Sequence, residues 1–151
     1  MTMTTQQAFE AGTAAFNAHD FEAFAAVLAD DVGFEAPGGA RLSGKEACVA
    51  FYRGWIEAFP DARVEVAAVH NVDDRLIVEE GEFTGTHDGP LCTPSGEIPA
   101  TGRSVTVPYI HLLRFRDGKH VFFGLMFDRL QMLEQLGIVP AALVAPTGQT
   151  A

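Results

Sequence analysis

The sequence has 151 residues, of which 48% are hydrophobic, and carries 20 acidic against 10 basic side chains, a formal net charge of −10. This length predicts one domain with a sizeable core, and the charge argues against nucleic-acid binding, which needs clustered Lys and Arg. No apolar run reaches the roughly 18 to 20 residues of a membrane-spanning helix, and no secretory signal follows Met1. Cys48 and Cys92 are too few for a disulfide framework. We therefore expect a cytoplasmic protein with two reduced thiols.

The first 60 residues are typical of helices interrupted by one short strand. Apolar residues recur at helical spacing from Thr5 to Ala18, and Asp20 is suited to cap a second short helix that runs from Phe21 to Leu28. Val32 to Ala36 is predicted to be a short strand. Ser43-Gly-Lys-Glu46 has the pattern of a capping box and opens a third helix that ends before Pro60.

Beyond Pro60 the hydrophobic period becomes two, which indicates strands. The predicted strands are 63–72, 76–86, 103–115 and 119–127, with a hairpin turn at Asp117-Gly118 and a long loop at 87–101. Asp128 to Leu136 is predicted to be a final helix that stops at Gly137, and residues 141–151 to be a flexible tail. Helices on one face of a curved antiparallel sheet make an α+β layout.

Six short strings, spread over almost the whole chain, carry a resemblance to a known family. They are Asp31-Val-Gly-Phe-Glu35, Gly44-Lys-Glu-Ala47, Gly85-Thr-His-Asp-Gly-Pro90, Pro99-Ala-Thr-Gly-Arg103, Phe115-Arg-Asp-Gly-Lys119, and Phe127-Asp-Arg-Leu with Leu133-Glu-Gln-Leu-Gly137. Together with the order of elements they resemble the SnoaL-like polyketide cyclase and ester cyclase group of the nuclear transport factor 2-like superfamily. The resemblance implies a cone-shaped fold in which helices and a strongly bent sheet enclose one deep apolar pocket, usually in a homodimer.

The same resemblance points to catalytic positions. The cyclases place a His on the long third strand seven residues before the hairpin Gly, which is His111 here, whereas their catalytic Asp lies fourteen residues beyond it, where this chain has Leu125. Epoxide hydrolases of the superfamily have Arg and Asp at the positions of Tyr109 and His111, so their reaction is disfavoured. Glu35 stands where the family often has a His, and we expect it to return a titratable group to the pocket.

Each of these residues has a role as an acid, a base or a hydrogen-bond donor and a plainer alternative. His111 can transfer a proton at neutral pH, or it is a core histidine satisfied by a neighbour. Tyr109 can donate to an enolate oxygen, or it is only part of an aromatic wall. Glu35 can act as acid or base if an apolar cavity raises its pKa, or it lies exposed at an edge.

Strand parity predicts which side chains share the concave face, because residues two apart point the same way. If His111 faces a cavity, the odd positions 105–113 and 121–127 face it too. The expected substrate-binding residues are Phe34, Tyr52, Trp55, Phe123, Leu125 and Phe127, although Tyr52 and Trp55 are equally typical of a core. The even positions Ile110, Leu112, Phe122 and Met126 are also apolar, which favours a homodimer covering the second face.

The remaining histidines are expected to have lesser roles. His19, His70 and His120 are predicted at the surface, whereas His87 and the adjacent Asp88 could reach the pocket mouth or bind an adventitious metal. Two adjacent ligands do not make a designed metal site, and no phosphate-binding glycine loop is present. We therefore expect no metal and no cofactor.

Two main hypotheses follow. The first is a cofactor-free acid/base enzyme, of cyclase, isomerase or lyase type, acting on a small apolar polyketide-like or terpenoid-like carbonyl compound through His111, Glu35 and Tyr109. The second is a non-catalytic small-molecule binding protein on the same scaffold, which Leu125 in place of the cyclase Asp favours. A dimerising accessory domain without a ligand is a third, weaker alternative.

Overall fold

The computed structural model describes residues 2–139, so the tail predicted at 141–151 lies outside the described residues. The helices are α1 (Thr5–Ala18), α2 (Phe21–Ala26), α3 (Lys45–Ala58) and α4 (Arg129–Gln135). The strands are β1 (Leu28–Ala36), β2 (Ala40–Ser43), β3 (Arg63–Asn71), β4 (Leu76–Thr86), β5 (Leu91–Thr93), β6 (Gly96–Ile98), β7 (Ser104–Arg116) and β8 (Lys119–Phe127). Within the described range, no helix is both long and apolar enough to cross a membrane.

Side-chain caps fix three of the four helix starts. The Thr4 hydroxyl accepts from the Gln7 N–H at 3.1 Å to open α1, and Asp20, as predicted, accepts from the Ala23 N–H at 2.9 Å to open α2. Asp128 caps α4 in the same way, accepting from Gln131 at 3.0 Å. The capping box predicted at Ser43 is wrong: Ser43 ends β2, paired with Gly33, and Gly44, with a φ of 96° that suits glycine, is the N-cap of α3.

One six-stranded sheet in the order β2-β1-β8-β7-β4-β3 forms the body of the fold, which has the predicted α+β class. Its neighbours are antiparallel except for β1 and β8, which run parallel. The α1 helix packs on β3 and β8, and α3 packs on β1 and β2. The helices therefore lie on one face of the sheet, and the cavity described below lies between the two layers.

The largest differences from the prediction are at the start of β1 and in the long loop. Leu28, predicted to lie in the second helix, is fully buried and begins β1, where it pairs with His120. The loop predicted at 87–101 contains a small hairpin made of β5 and β6. Both strands of that hairpin have only three residues, which is too short for a periodic pattern to be visible.

The parity predicted for β7 is confirmed, with Val105, Val107 and Tyr109 buried on the inner face. On the outer face, Ile110 is 47% exposed, and Met126 of the neighbouring strand β8 is 66% exposed. The inner face thus belongs to the core and cavity, while the outer face presents apolar side chains to solvent.

Candidate active site

A cavity of about 230 Å³ lies between the helices and the inner face of the sheet. Its wall is mainly aromatic and aliphatic, and all six predicted substrate-binding positions belong to it, namely Phe34, Tyr52, Trp55, Phe123, Leu125 and Phe127. Helices α1 and α2 add Phe9, Phe16 and Phe24. Among the described residues, the Asp, Glu, Lys and Arg side chains of the wall are limited to Glu79 and Arg129.

Tyr52 joins the helices to the wall rather than offering a free hydroxyl. Its O–H donates to the Phe16 carbonyl at 2.6 Å, and its ring stacks on Phe16 with centroids 4.9 Å apart. Burial, together with the charge of Asp20, raises the pKa of Tyr52 to about 12. This phenol therefore stays protonated and has a structural role in the cavity.

Glu79, Tyr109 and His111 form a polar cluster inside this apolar cavity. Glu79 is only 3% exposed, and the Tyr109 hydroxyl donates to its Oε1. Its Oε2 lies 3.6 Å from Nδ1 of His111. The aromatic rings of Tyr109 and His111 meet edge to face with centroids 5.5 Å apart, so one carboxylate contacts both predicted catalytic side chains.

The β4–β7 register places the three residues together. Glu79 pairs with His111, and Gly81, two residues further on the same inner face, pairs with Tyr109. A Cβ at position 81 would overlap the Tyr109 hydroxyl, so glycine leaves the space through which the phenol reaches the carboxylate. The cluster is thus a consequence of strand pairing and of one missing side chain.

Burial, the charge of Glu79 and the hydrogen bond to Glu79 all raise the pKa of Tyr109 well above its ordinary value. The phenol is therefore a permanent donor at neutral pH. Because its single proton is engaged with Glu79, it is not free to bind a substrate oxygen while that hydrogen bond lasts.

Glu79 is the functional candidate that the sequence analysis missed. It stands beside Glu80 and near Glu82, which are exposed, and the three acids together are typical of a solvated strand. The available signal was parity, since Glu79 shares its face with Ile77 and Phe83, both buried.

His111 lies on the cavity wall as expected, and its ring nitrogen Nε2 makes no hydrogen bond to the described residues. Nε2 is buried and has no hydrogen-bonding partner in the described part of the chain. Leu125 stands directly across the β7–β8 ladder, so the position where the resembling cyclases have an Asp contributes an apolar side chain. The acid beside His111 comes instead from β4.

Glu35 does not face the cavity, which corrects the prediction for this residue. Its side chain is 51% exposed, and Oε1 lies 3.7 Å from Nε of Arg41. On β1 the neighbouring Phe34 points inward, so alternation turns Glu35 outward. Glu35 therefore matches its plainer alternative, an exposed position in a strand.

His120 is buried, so the prediction of a surface position is also wrong. The β7–β8 pairing skips Val121, because Arg114 pairs with Phe122 and Phe115 pairs with His120. This bulge turns His120 into the cavity wall, where its Nε2 lies 3.1 Å from the Ala8 carbonyl. Burial lowers the pKa of His120 to about 4.

The other histidines stay outside the cavity. His70 is exposed and contacts Glu80 at 2.7 Å, whereas half-buried His19 bonds the Ala62 carbonyl at 2.7 Å. His87 is fully buried, with Nδ1 accepting from the Thr101 N–H at 3.2 Å. It is not part of the cavity wall, so it does not reach the pocket mouth. Burial lowers its pKa. Residues 2–139 contain no group of three or more His, Cys, Asp or Glu side chains suited to a metal ion.

Comparisons with known proteins agree with this architecture. The family model described as "SnoaL-like domain" matches residues 9–123, while no curated protein sequence matches the chain. A Jannaschia sp. CCS1 protein, provisionally assigned as a SnoaL-like polyketide cyclase, superimposes with a TM-score of 0.79 at 22% identity, covering 90% of this chain and 93% of that chain.

Two further solved structures are similar over most of their length. TsrD from Streptomyces laurentii has a TM-score of 0.75 at 27% identity, covering 89% of this chain and 95% of its own. An NTF2-like protein of unknown function from Burkholderia pseudomallei K96243 has a TM-score of 0.73 at 24% identity, covering 87% and 96%. The helices and curled sheet thus match the fold of these NTF2-like and SnoaL-like neighbours, and the chain belongs to the SnoaL-like domain family.

Proposed function

We propose that the protein is a cofactor-free acid/base enzyme that removes a proton next to the carbonyl group of a small apolar compound. The observation that carries the proposal is the cluster of Glu79, Tyr109 and His111 in an otherwise apolar cavity. A buried carboxylate and an imidazole with one unoccupied nitrogen are the groups that proton transfer needs. The product is a cyclised, isomerised or dehydrated compound, depending on the substrate.

In this mechanism Nε2 of His111 is the base. Its lone pair takes the proton from the carbon next to the carbonyl group. The C–H electrons then form a double bond between that carbon and the carbonyl carbon, and the carbonyl π pair moves to oxygen to give an enolate. The charge of Glu79, whose Oε2 lies 3.6 Å from Nδ1, favours a proton on that nitrogen and stabilises the imidazolium that forms. General-base catalysis of this kind contributes roughly 10² to 10⁴ in rate.

Tyr109 acts while the proton moves to His111 and negative charge develops on the substrate oxygen. The imidazolium competes with the phenol for the charge of Glu79, which frees the Tyr109 O–H to turn toward the enolate oxygen. A donor placed where negative charge develops stabilises the transition state in a dry site. The return of the proton from His111 to a different atom then sets the reaction type.

The test compares two neighbouring glutamates on β4. Wild-type protein is incubated in D₂O with a panel of apolar ketones, and deuterium incorporation next to the carbonyl is followed by NMR. Glu79→Gln and His111→Asn should each lower the exchange rate by at least about 10²-fold. Glu80→Gln, on the exposed face of the same strand, should leave it unchanged. Equal exchange in wild type and His111→Asn contradicts the proposal.

A non-catalytic small-molecule binding protein is the second candidate, and Leu125 favours it. The residue opposite His111 is apolar, so the cavity lacks a second acid at the place where the resembling cyclases have one. Under this function, an apolar ligand raises the melting temperature by mass action, and wild-type protein exchanges no ketone proton.

We also propose that the protein is a homodimer. Ile110 and Met126 are exposed on the outer face of the sheet and pair directly across the β7–β8 ladder. Leu112 and Phe122 extend this face with partly buried side chains. An apolar sheet face open to solvent favours a covering partner, and a second copy of the chain supplies a self-complementary one.

A further inference from the structure

His120 is a buried polar side chain of the cavity wall to which the proposed chemistry gives no part. Its Nε2 bonds the Ala8 carbonyl at 3.1 Å, and because a carbonyl only accepts, the ring proton is on Nε2. Nδ1 therefore carries a lone pair. That nitrogen is buried and has no hydrogen-bonding partner among residues 2–139.

An unsatisfied acceptor at this position is costly, and packing does not require it. A buried polar atom without a partner loses the hydrogen bonds that it makes to water in the unfolded chain. The ring itself stacks on Phe123, with centroids 4.7 Å apart and planes at 8°, and lies 4.4 Å from Phe115. These aromatic contacts do not involve a hydrogen bond to Nδ1, so they leave that nitrogen unpaired.

Helix α1 also accommodates this imidazole. Gly12 lies inside α1, where glycine is less favourable than alanine. A Cβ at position 12 would lie 2.9 Å from Nε2 of His120, so the glycine leaves room for the ring. Two features that each destabilise the fold, the helical Gly12 and the unpaired Nδ1 of His120, thus lie next to each other in the cavity wall.

We propose that Nδ1 of His120 accepts a hydrogen bond from the ligand, so that the substrate is an apolar carbonyl compound bearing a hydroxyl or N–H group away from its carbonyl. The carbonyl part of this inference rests on the proposed function. The Phe123 ring contacts both imidazoles, with centroids 5.8 Å from His111 and 4.7 Å from His120. His111 and His120 are therefore close enough for one small molecule to contact both.

The test uses three probes that differ at one position: 4-hydroxyacetophenone, 4-methoxyacetophenone and acetophenone. Trp55 is the single tryptophan of the chain and lies in the cavity wall, so its fluorescence reports binding. Wild-type protein should bind the hydroxy probe roughly five- to ten-fold more tightly than the methoxy probe, the effect of about one hydrogen bond. His120→Phe should remove this preference, whereas His70→Phe, an exposed control, should retain it.

Equal affinity of wild type for the hydroxy and methoxy probes overturns the inference, as does an unchanged preference in His120→Phe. If His120→Phe does not fold, NMR of wild-type protein with ¹⁵N-labelled histidine decides instead. The Nδ1 signal of His120 should shift with the hydroxy probe and not with the methoxy probe, and equal responses overturn the inference. Because these experiments measure binding, their failure is distinct from failure of the proton-exchange assay.

Discussion

Acid should destabilise the protein through His120. In the folded state burial lowers the pKa of this imidazole to about 4, whereas an unfolded histidine titrates near 6.5. Between these pH values His120 is protonated in the unfolded chain and neutral in the folded protein. The free energy of unfolding therefore falls as the pH falls from about 6.5 to 4. At about 1.4 kcal/mol for each pH unit, the whole loss is roughly 3 kcal/mol.

Urea unfolding at several pH values between 4.5 and 7 measures this loss in wild type and in His120→Phe. Other groups act equally in both proteins, including His87, whose pKa burial also lowers. The difference between the two curves therefore isolates His120, and wild type should lose more stability toward acid. Parallel curves refute the reasoning, and so does an NMR titration in which His120 protonates near pH 6.5.

Two further predictions concern the sheet. Gly81→Ala should displace Tyr109, because the new Cβ would overlap its hydroxyl, and should cost about 1 to 3 kcal/mol of unfolding free energy in urea. Gly54→Ala is the control, since open space surrounds that helical glycine, and it should stabilise by about 1 kcal/mol; equal effects contradict the overlap. Wild type should sediment as a dimer and Met126→Glu as a monomer of about 16 kDa; a monomeric wild type refutes the proposed dimer.

Long periodic segments made most of the fold predictable. The bounds predicted for α1, β4 and β8 are those observed, because the apolar period can be recognised over these long segments. β1 is an exception, since only Val32 to Ala36 was predicted as strand. The strands β2, β5 and β6 have only three or four residues. Their pairing depends on partners elsewhere in the chain, which a local pattern does not contain.

The site was predictable only where strand alternation was regular. Parity brought Tyr109 and His111 to one face, and the structure places both on the cavity wall. His120 was missed because the bulge at Val121 reverses the alternation. Glu79 was missed because the neighbouring Glu80 and Glu82, on the opposite face of β4, make the segment resemble a solvent-exposed strand. A single sequence does not reveal a bulge or the cross-strand partner of a residue; for Glu79 it offers only the parity with the buried Ile77 and Phe83.

The buried carboxylate of Glu79 favours the proposed enzyme over the non-catalytic binding protein. Removing a carboxylate from water costs several kcal/mol unless hydrogen bonds and an opposite charge compensate. Tyr109 provides one hydrogen bond to Glu79, but His111 provides an opposite charge only when it is protonated. A carrier of apolar molecules gains nothing from this arrangement. A catalytic base gains from it, because the negative charge of Glu79 stabilises His111 after it has taken a proton from the substrate.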